Sequence, residues 1–181
     1  WAADLGLEEA RLLAERSGSP LPLTLRIRPG GDSPERWIAR LEAAGVVARP
    51  ARWLAEALVI EVGGVVPDLP GFDQGAWTVQ GEGAMIAARV LDPRPGDTVV
   101  DLAAAPGGKT AHLHDRVGGR GRLVAIDVHP GRLRVLERNL ARLGIEGVEV
   151  RATDARLVTD LAADRVLLDA PCSGWGVLAR K

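Results

Sequence analysis

The stretch TVVDLAAAPGGKT, residues 98–110, decides the fold. Its first part, 98–105, is a continuous apolar run. Strands of that kind belong to parallel sheets covered by helices on both faces. Gly107 and Gly108 then let the backbone come close to a ligand, and the helix opened by Lys109 presents free N–H groups at the same place. The pattern is neither the dinucleotide signature G-x-G-x-x-G nor the phosphate-loop signature G-x-x-x-x-G-K-[ST].

The rhythm continues downstream. LVAIDV (123–128) predicts a second strand and HPGRLRVLERNLARLG (129–144) an amphipathic helix with Leu133, Leu136, Leu140 and Leu143 turned inward. VEVRATD (148–154) and DRVLLDAP (164–171) predict two more strands. Strands alternating with helices specify a parallel, doubly wound sheet with right-handed crossovers. Upstream, QGEGAMIAARVLDP (80–93) reads as a helix ended by Pro93, and VVPDLPGFDQGAW (65–77) as a Pro/Gly-rich linker. Before the linker lies a small α/β unit. It has a short helix over 3–16 with Leu5, Leu12 and Leu13 among charges, and a strand in PLTLRIRP (22–29). A second helix in GDSPERWIARLEAAG has Ser33 as N-cap, Pro34 in the first turn and Trp37, Ile38, Leu41 and Ala44 as its buried face. A strand, ALVIEVGG (57–64), follows. The expected organisation is a small domain over 1–70 and the beginning of a larger one over 71–181.

Composition narrows the function classes. The chain of 181 residues is 46% hydrophobic and 26% charged, with a formal net charge of -1, so no global basic field attracts nucleic acid. Only Lys109 and Lys181 are lysines among 23 basic residues. With one Asn, one Phe and no Tyr, this reflects a GC-rich coding bias, and the arginines are not by themselves a sign of RNA binding. A single cysteine excludes an intrachain disulfide and a multi-cysteine zinc site, and His112, His114 and His129 lack ligand spacing with it. No metal is expected. No apolar run approaches the ~20 residues needed to span a bilayer, and there is no secretory signal. A cytoplasmic location is the default expectation. The chain lacks an initiator Met and stops just after a motif, so both ends are expected to continue in a longer protein.

In open α/β sheets, ligands bind beyond the carboxyl ends of the strands. The first strand ends in the glycine turn. The second ends in Asp127, 19 residues after Gly108 (127 minus 108), where a carboxylate accepts two hydrogen bonds from a ribose diol. The third ends in Asp154, placed to accept from an amino group, and the fourth in Asp169, Pro171 and Cys172. Three acidic strand ends and a glycine turn suit a ligand with a sugar, a nucleobase and a positive charge. S-adenosylmethionine (AdoMet) fits that description better than a dinucleotide.

DLAAAPGGKT and LLDAPCSGWGV resemble motifs I and IV of the RNA cytosine-5 methyltransferases of the Sun/Fmu type, RsmB-like proteins that act on small-subunit ribosomal RNA. FDQGAWTVQGEGAMIAARVLDPRPGDTVVD resembles the lead-in to motif I, and PLTLRIRP the small N-terminal RNA-binding domain. The resemblance covers nearly the whole chain. It implies a Rossmann-like AdoMet-dependent methyltransferase fold, with its parallel sheet truncated, preceded by a small α/β, RRM-like, RNA-binding domain. The implied cofactor loop is Ala103, Ala104, Ala105, Pro106, Gly107, Gly108 and Lys109. Asp127 would take the ribose hydroxyls, Asp154 the adenine, and Asp169 would lie near the methionine moiety and target base. Where the family often has Cys, this chain has Ala103; where it usually has an Arg-Arg pair after motif IV, this chain reads Ala179 and Arg180.

Carbon 5 of cytosine is a poor nucleophile until a thiolate adds to carbon 6, and cysteine suits that task because it both attacks and leaves well. In the enzymes resembled, a later Thr-Cys cysteine makes the bond and the Pro-Cys cysteine helps resolve it. Cys172 is therefore expected to assist release, with the attacking cysteine beyond residue 181. The bland alternative is a small hydrophobe near a strand end. His114 and His129 are expected to flank helices or lie at the surface. Trp77 and Trp175 flank the expected site and are candidates for stacking on a base. Arg26, Arg28, Arg36 and Arg40 are the candidates for positioning RNA. The function implied is AdoMet-dependent methylation of cytosine carbon 5 in RNA, most directly 16S ribosomal RNA. The rivals are a transfer RNA methyltransferase and a non-catalytic RNA-binding or ribosome-assembly factor on the same fold.

Overall fold

The computed structural model describes residues 1–17 and 22–170. The chain divides into two compact units between Pro22 and Leu23. The first contains α1 (Ala2–Leu5) and α2 (Leu7–Ser17). The single helix expected over 3–16 is thus two, because Gly6 takes φ 81 between them. Leu5, Leu12 and Leu13 are all exposed.

The second unit, Leu23–Ala170, holds two four-stranded sheets. The first comprises β1 (Leu23–Ile27), β2 (Val47–Pro50), β3 (Ala57–Val62) and β4 (Trp77–Val79), antiparallel in the order β2-β3-β1-β4. Helix α3 (Pro34–Ala43) packs Trp37 and Leu41 against Leu25, Ile27, Leu58, Ile60 and Trp77. Its start is as expected: Ser33 accepts from the Arg36 N–H and Pro34 opens the helix. Strands β2 and β4 were not expected. The first is four residues long and ends in Pro50, which an edge strand tolerates. The second is three residues long and lies at the end of the segment that reads as a linker.

That segment is no tether. Arg142 donates to the Phe72 carbonyl at 2.6 Å and stacks its guanidinium 4.1 Å from the Phe72 ring centroid. Gly75 takes φ +62, and a Cβ there would stand 2.5 Å from the Arg142 carbonyl oxygen. Only glycine permits the backbones to approach so closely.

The second sheet is wholly parallel: β5 (Thr98–Asp101), β6 (Arg122–Asp127), β7 (Val148–Ala152) and β8 (Arg165–Leu167), in the order β7-β6-β5-β8. Helices α4 (Glu82–Leu91), α5 (Gly108–Val117) and α6 (Pro130–Arg142) alternate with the strands. Leu133, Leu136, Leu140 and Leu143 are buried, as the 3.6-residue period requires. Strand β5 stops at Asp101, earlier than its apolar run suggests. Past Asp101 the chain keeps single bonds to its neighbours, Leu102 N–H to Leu167 O and Ala104 N–H to Ile126 O, while it turns toward α5.

Two arginines correct the sequence reading. Arg26 and Arg28, candidates for meeting RNA, face inward to Asp115 on α5, at 2.7 and 2.8 Å. Arg26 is 1% exposed, and Gln80 accepts from its Nε at 2.9 Å. Alternation along β1 puts Thr24 and Arg26 on the face opposite Leu25 and Ile27. That face is covered: Ala57, beside Arg26 in the ladder, packs on Leu54 and Met85. Arg36 and Arg40 are exposed, and both pair with Asp32.

Candidate cofactor-binding site

In a doubly wound sheet the crevice opens where successive strands leave the first strand in opposite directions. Here that place lies beyond β5, which has β6 on one side and β8 on the other. The loop from Leu102 to Gly107 crosses it and delivers the chain into α5. Gly107 is the N-cap at φ 102, and a Cβ there would press on Leu136 of α6 at 3.1 Å. Gly108 faces open space, with nothing within 4 Å of a would-be Cβ. The N–H groups of Gly108, Lys109 and Thr110 open the helix, and none has an acceptor among the described residues. The turn therefore combines room with unpaired donors.

Helix α6 braces the loop from behind. Arg132 donates to the Ala105 carbonyl at 2.7 Å, and Asn139 to the Pro106 carbonyl at 2.8 Å. The peptide between Ala105 and Pro106 is cis. Asp127, at the end of β6, is 3% exposed; its Oδ1 accepts from the His129 N–H at 3.0 Å and its Oδ2 stands 3.4 Å from Arg132. Arg132 thus links the glycine loop to the acid expected to hold a ribose. Asp169, past β8, meets Lys109 Nζ at 2.5 Å. Lys109 therefore ties the start of α5 to the end of the fourth strand. Asp154 caps the turn after β7 and pairs with Arg156 at 2.6 Å, which holds its carboxyl down to about 2.

Asp101 was not singled out from sequence, although it is a carboxylate inside an apolar strand. It is 1% exposed, accepts from the Thr110 hydroxyl at 2.8 Å through Oδ2, and its Oδ1 has no hydrogen-bond partner among the described residues. Burial pushes its carboxyl up to about 6, against the opposing pull of Thr110, the Ala103 backbone and Lys109. Arg132 and Asn139 were also missed. Asn139, the chain's one asparagine, sits on a helix otherwise read only for its leucines.

Trp77 is fully buried and donates its Nε1–H to the Pro70 carbonyl at 2.8 Å, so it is core and not a stacking platform. His129 is exposed at the N-cap of α6, while His114 is half-buried. Cys172 and Trp175 lie outside the described residues. No cluster of metal-ligating side chains occurs among the described residues, and none of their helices is long and apolar enough to cross a membrane.

The residues present fit AdoMet. Unpaired N–H groups and open space at Gly108 accommodate a polar ligand against the helix start, and the acids at 101, 127 and 169 suit a diol and an ammonium. A parallel sheet of this order with such strand ends is the Rossmann-like fold of AdoMet-dependent methyltransferases. A solved methyltransferase homologue from Pyrococcus horikoshii has the same fold, with a TM-score of 0.85 and 33% identity over 97% of this chain and 58% of that one. Residues 88–181 match the family described as 16S rRNA methyltransferase RsmB/F, and the chain belongs to that family.

Among curated relatives, the Escherichia coli ribosomal RNA small subunit methyltransferase B is 36% identical over 96% of this chain and 41% of its own length. The Pyrococcus horikoshii tRNA (cytosine(72)-C(5))-methyltransferase is 45% identical over 61% of this chain and 29% of its own. The chain thus spans less than half the length of either relative.

Proposed function

We propose that the protein methylates carbon 5 of a cytosine in RNA with AdoMet as methyl donor, and that the RNA is 16S ribosomal RNA. The observation that carries this reading is the strand-end site, where unpaired α5 N–H groups and the buried Asp127 carboxylate border one crevice. The family match and the relative covering 96% of the chain favour ribosomal over transfer RNA, for which the resembling segment is shorter.

AdoMet, when bound, supplies an electrophilic methyl group. This chain's part is to hold and orient it. The Gly107–Gly108 turn brings backbone close enough to donate to the ligand. Asp127 accepts from the ribose hydroxyls, and Arg132, whose side chain is half exposed, is released from it as they arrive. Asp154 accepts from the adenine amino group. Asp169, steered by Lys109, faces the methionine end and the target base. Cys172 assists elimination of the covalent adduct, and the attacking thiolate comes from a part of the protein beyond residue 181.

Isothermal calorimetry with AdoMet tests the site. The folded chain should bind, and Asp127→Ala should weaken binding at least tenfold, the loss of about 1.4 kcal/mol expected for hydrogen bonds to a charged acceptor. A folded chain that takes up no heat with AdoMet sinks the assignment. Bisulfite mapping of 16S ribosomal RNA from a deletion strain tests the substrate: one protected cytosine should become convertible.

A further inference from the structure

Trp53, in the loop between β2 and β3, is the most exposed of the described tryptophans at 64%, whereas Trp37 and Trp77 are core. A side chain with so much apolar surface is ordinarily largely buried. Leu54, next in the chain, is buried on Ala57 and Met85, so a core lies within the loop's reach. Trp53 stays out of it.

The loop holds that position firmly. Ala51 N–H donates to the Ala57 carbonyl at 2.8 Å, and Ala57 N–H to the Leu54 carbonyl at 3.0 Å. Trp53 N–H donates to Glu82 Oε1 at 2.7 Å, which ties the loop to the first residue of α4. The indole is thus presented on a fixed backbone, and a ligand meeting it need not order a loop. Arg52, itself exposed, lies over the ring with its guanidinium carbon 4.5 Å from the centroid. It makes no ion pair or hydrogen bond with the described residues, whereas Arg49 and Arg89 are paired with Glu61 and Glu56. Gly81 and Gly83, on either side of Glu82, would each set a Cβ in open space, so free surface adjoins the anchor of Trp53.

The place matters as much as the exposure. Helix α4 packs beside α5, Ala88 against Leu113 and Val117. It ends beside the end of α5, where Asp92 pairs with Arg116 at 2.8 Å, and the chain then enters β5 at Thr98. Helix α4 therefore runs the same way as α5. Its first turn, with Glu82 and the Trp53 loop, lies toward the carboxyl ends of the strands, the end at which the crevice opens.

We propose that Trp53 stacks an unpaired base of the RNA substrate near the target cytosine, with Arg52 meeting the adjoining phosphate. Unpaired bases in RNA stack on aromatic rings and on guanidinium planes, and a guanidinium matches phosphate oxygens in pairs. Such stacking tolerates any base, because every base has a π-face. This rests on RNA being the substrate. It gives Trp53 the stacking role that Trp77, as core, cannot take.

The test is NMR titration of the ¹⁵N-labelled chain, reading the tryptophan indole N–H signals, with Trp53→Phe assigning that of Trp53. The probes are a short single-stranded oligocytidylate and an abasic ribose-phosphate strand of the same length. The oligocytidylate should move the Trp53 signal and the abasic strand should not. Trp53→Ala should weaken oligocytidylate binding at least about fivefold, the low end for one stacked base, and Trp53→Phe should weaken it less. Arg52→Gln should flatten the salt dependence. If the oligocytidylate binds and Trp53 does not respond, this proposal alone falls. If no signal responds to it while calorimetry still shows AdoMet binding, RNA as the substrate falls as well. If the Trp53 signal ignores RNA and broadens with protein concentration, the surface joins two copies of the chain and the proposal falls. Should Trp53→Ala fail to fold, the contrast between the two strands on the unaltered chain decides.

Discussion

At the scale of single residues, Asp101 shows how the site is held in tension with stability. Its carboxyl stands at about 6 in the folded protein against 3.8 for the free side chain, because burial disfavours the charge. An acid raised in this way costs nothing below pH 3.8, where both states are protonated. Its penalty grows between about pH 4 and pH 6 and is complete above that. Asp101→Asn should therefore raise stability at pH 7.5 by about 1–2 kcal/mol, allowing for the amide's own need of partners, and change little at pH 4. Thermal melts at the two pH values check this; equal shifts at both would assign the effect to packing. A simultaneous loss of AdoMet affinity would mark the unpartnered Oδ1 as part of the ligand's binding surface, a stability cost kept for function.

At the scale of elements, α5 serves two ends. Its N-terminus faces the proposed cofactor site, and near its C-terminus Asp115 gathers Arg26 of β1 and Arg28 just past its end. Burial alone would raise the Asp115 carboxyl, but the bonds from Arg28 and Arg26 outweigh it and hold it low. Asp115→Asn would leave both guanidinium groups, the buried Arg26 and the partly buried Arg28, without their shared counter-charge. Removing one partner of a buried pair typically costs about 3–5 kcal/mol. Chemical denaturation should show a loss of that size; a loss under about 1 kcal/mol would mean water already solvates the pair. No local pattern announces this contact. Arg26 and Arg28 read as outward-facing polar positions of an alternating strand, and the acid that turns them inward lies 89 and 87 residues away in sequence.

The elements that were legible carried their own signals: the apolar run of β5, the four leucines of α6, the Ser-Pro start of α3. Those missed, β2 and β4, are too short to show a period and exist because neighbouring strands have edges to pair. The candidate site divides the same way. Its strand-end acids and glycine turn are local and readable, whereas Arg132 and Asn139 act on a loop 27 and 33 residues earlier.

At the scale of the whole molecule, the linker reading implies two domains free to unfold separately, with a boundary near residue 70. The contacts argue for joint unfolding of the two sheets. Strand β4 pairs with β1 from beyond the linker. Arg28 donates to the carbonyls of Gly75 and Leu143, and Arg142 to those of Phe72 and Trp77. These bonds tie the first sheet, the linker and the end of α6 into one compact unit, Leu23–Ala170. Neither half can leave without stranding the buried Arg26 and breaking the bonds of Arg28 and Arg142, so cooperativity should extend across both sheets. Amide NMR intensities followed through a urea titration should give one midpoint and one slope for the β1 and β6 residues alike. Two midpoints, with β1 lost before β6, would restore the independent small domain and leave the Arg26–Asp115 contact as a weak interface within a two-domain chain.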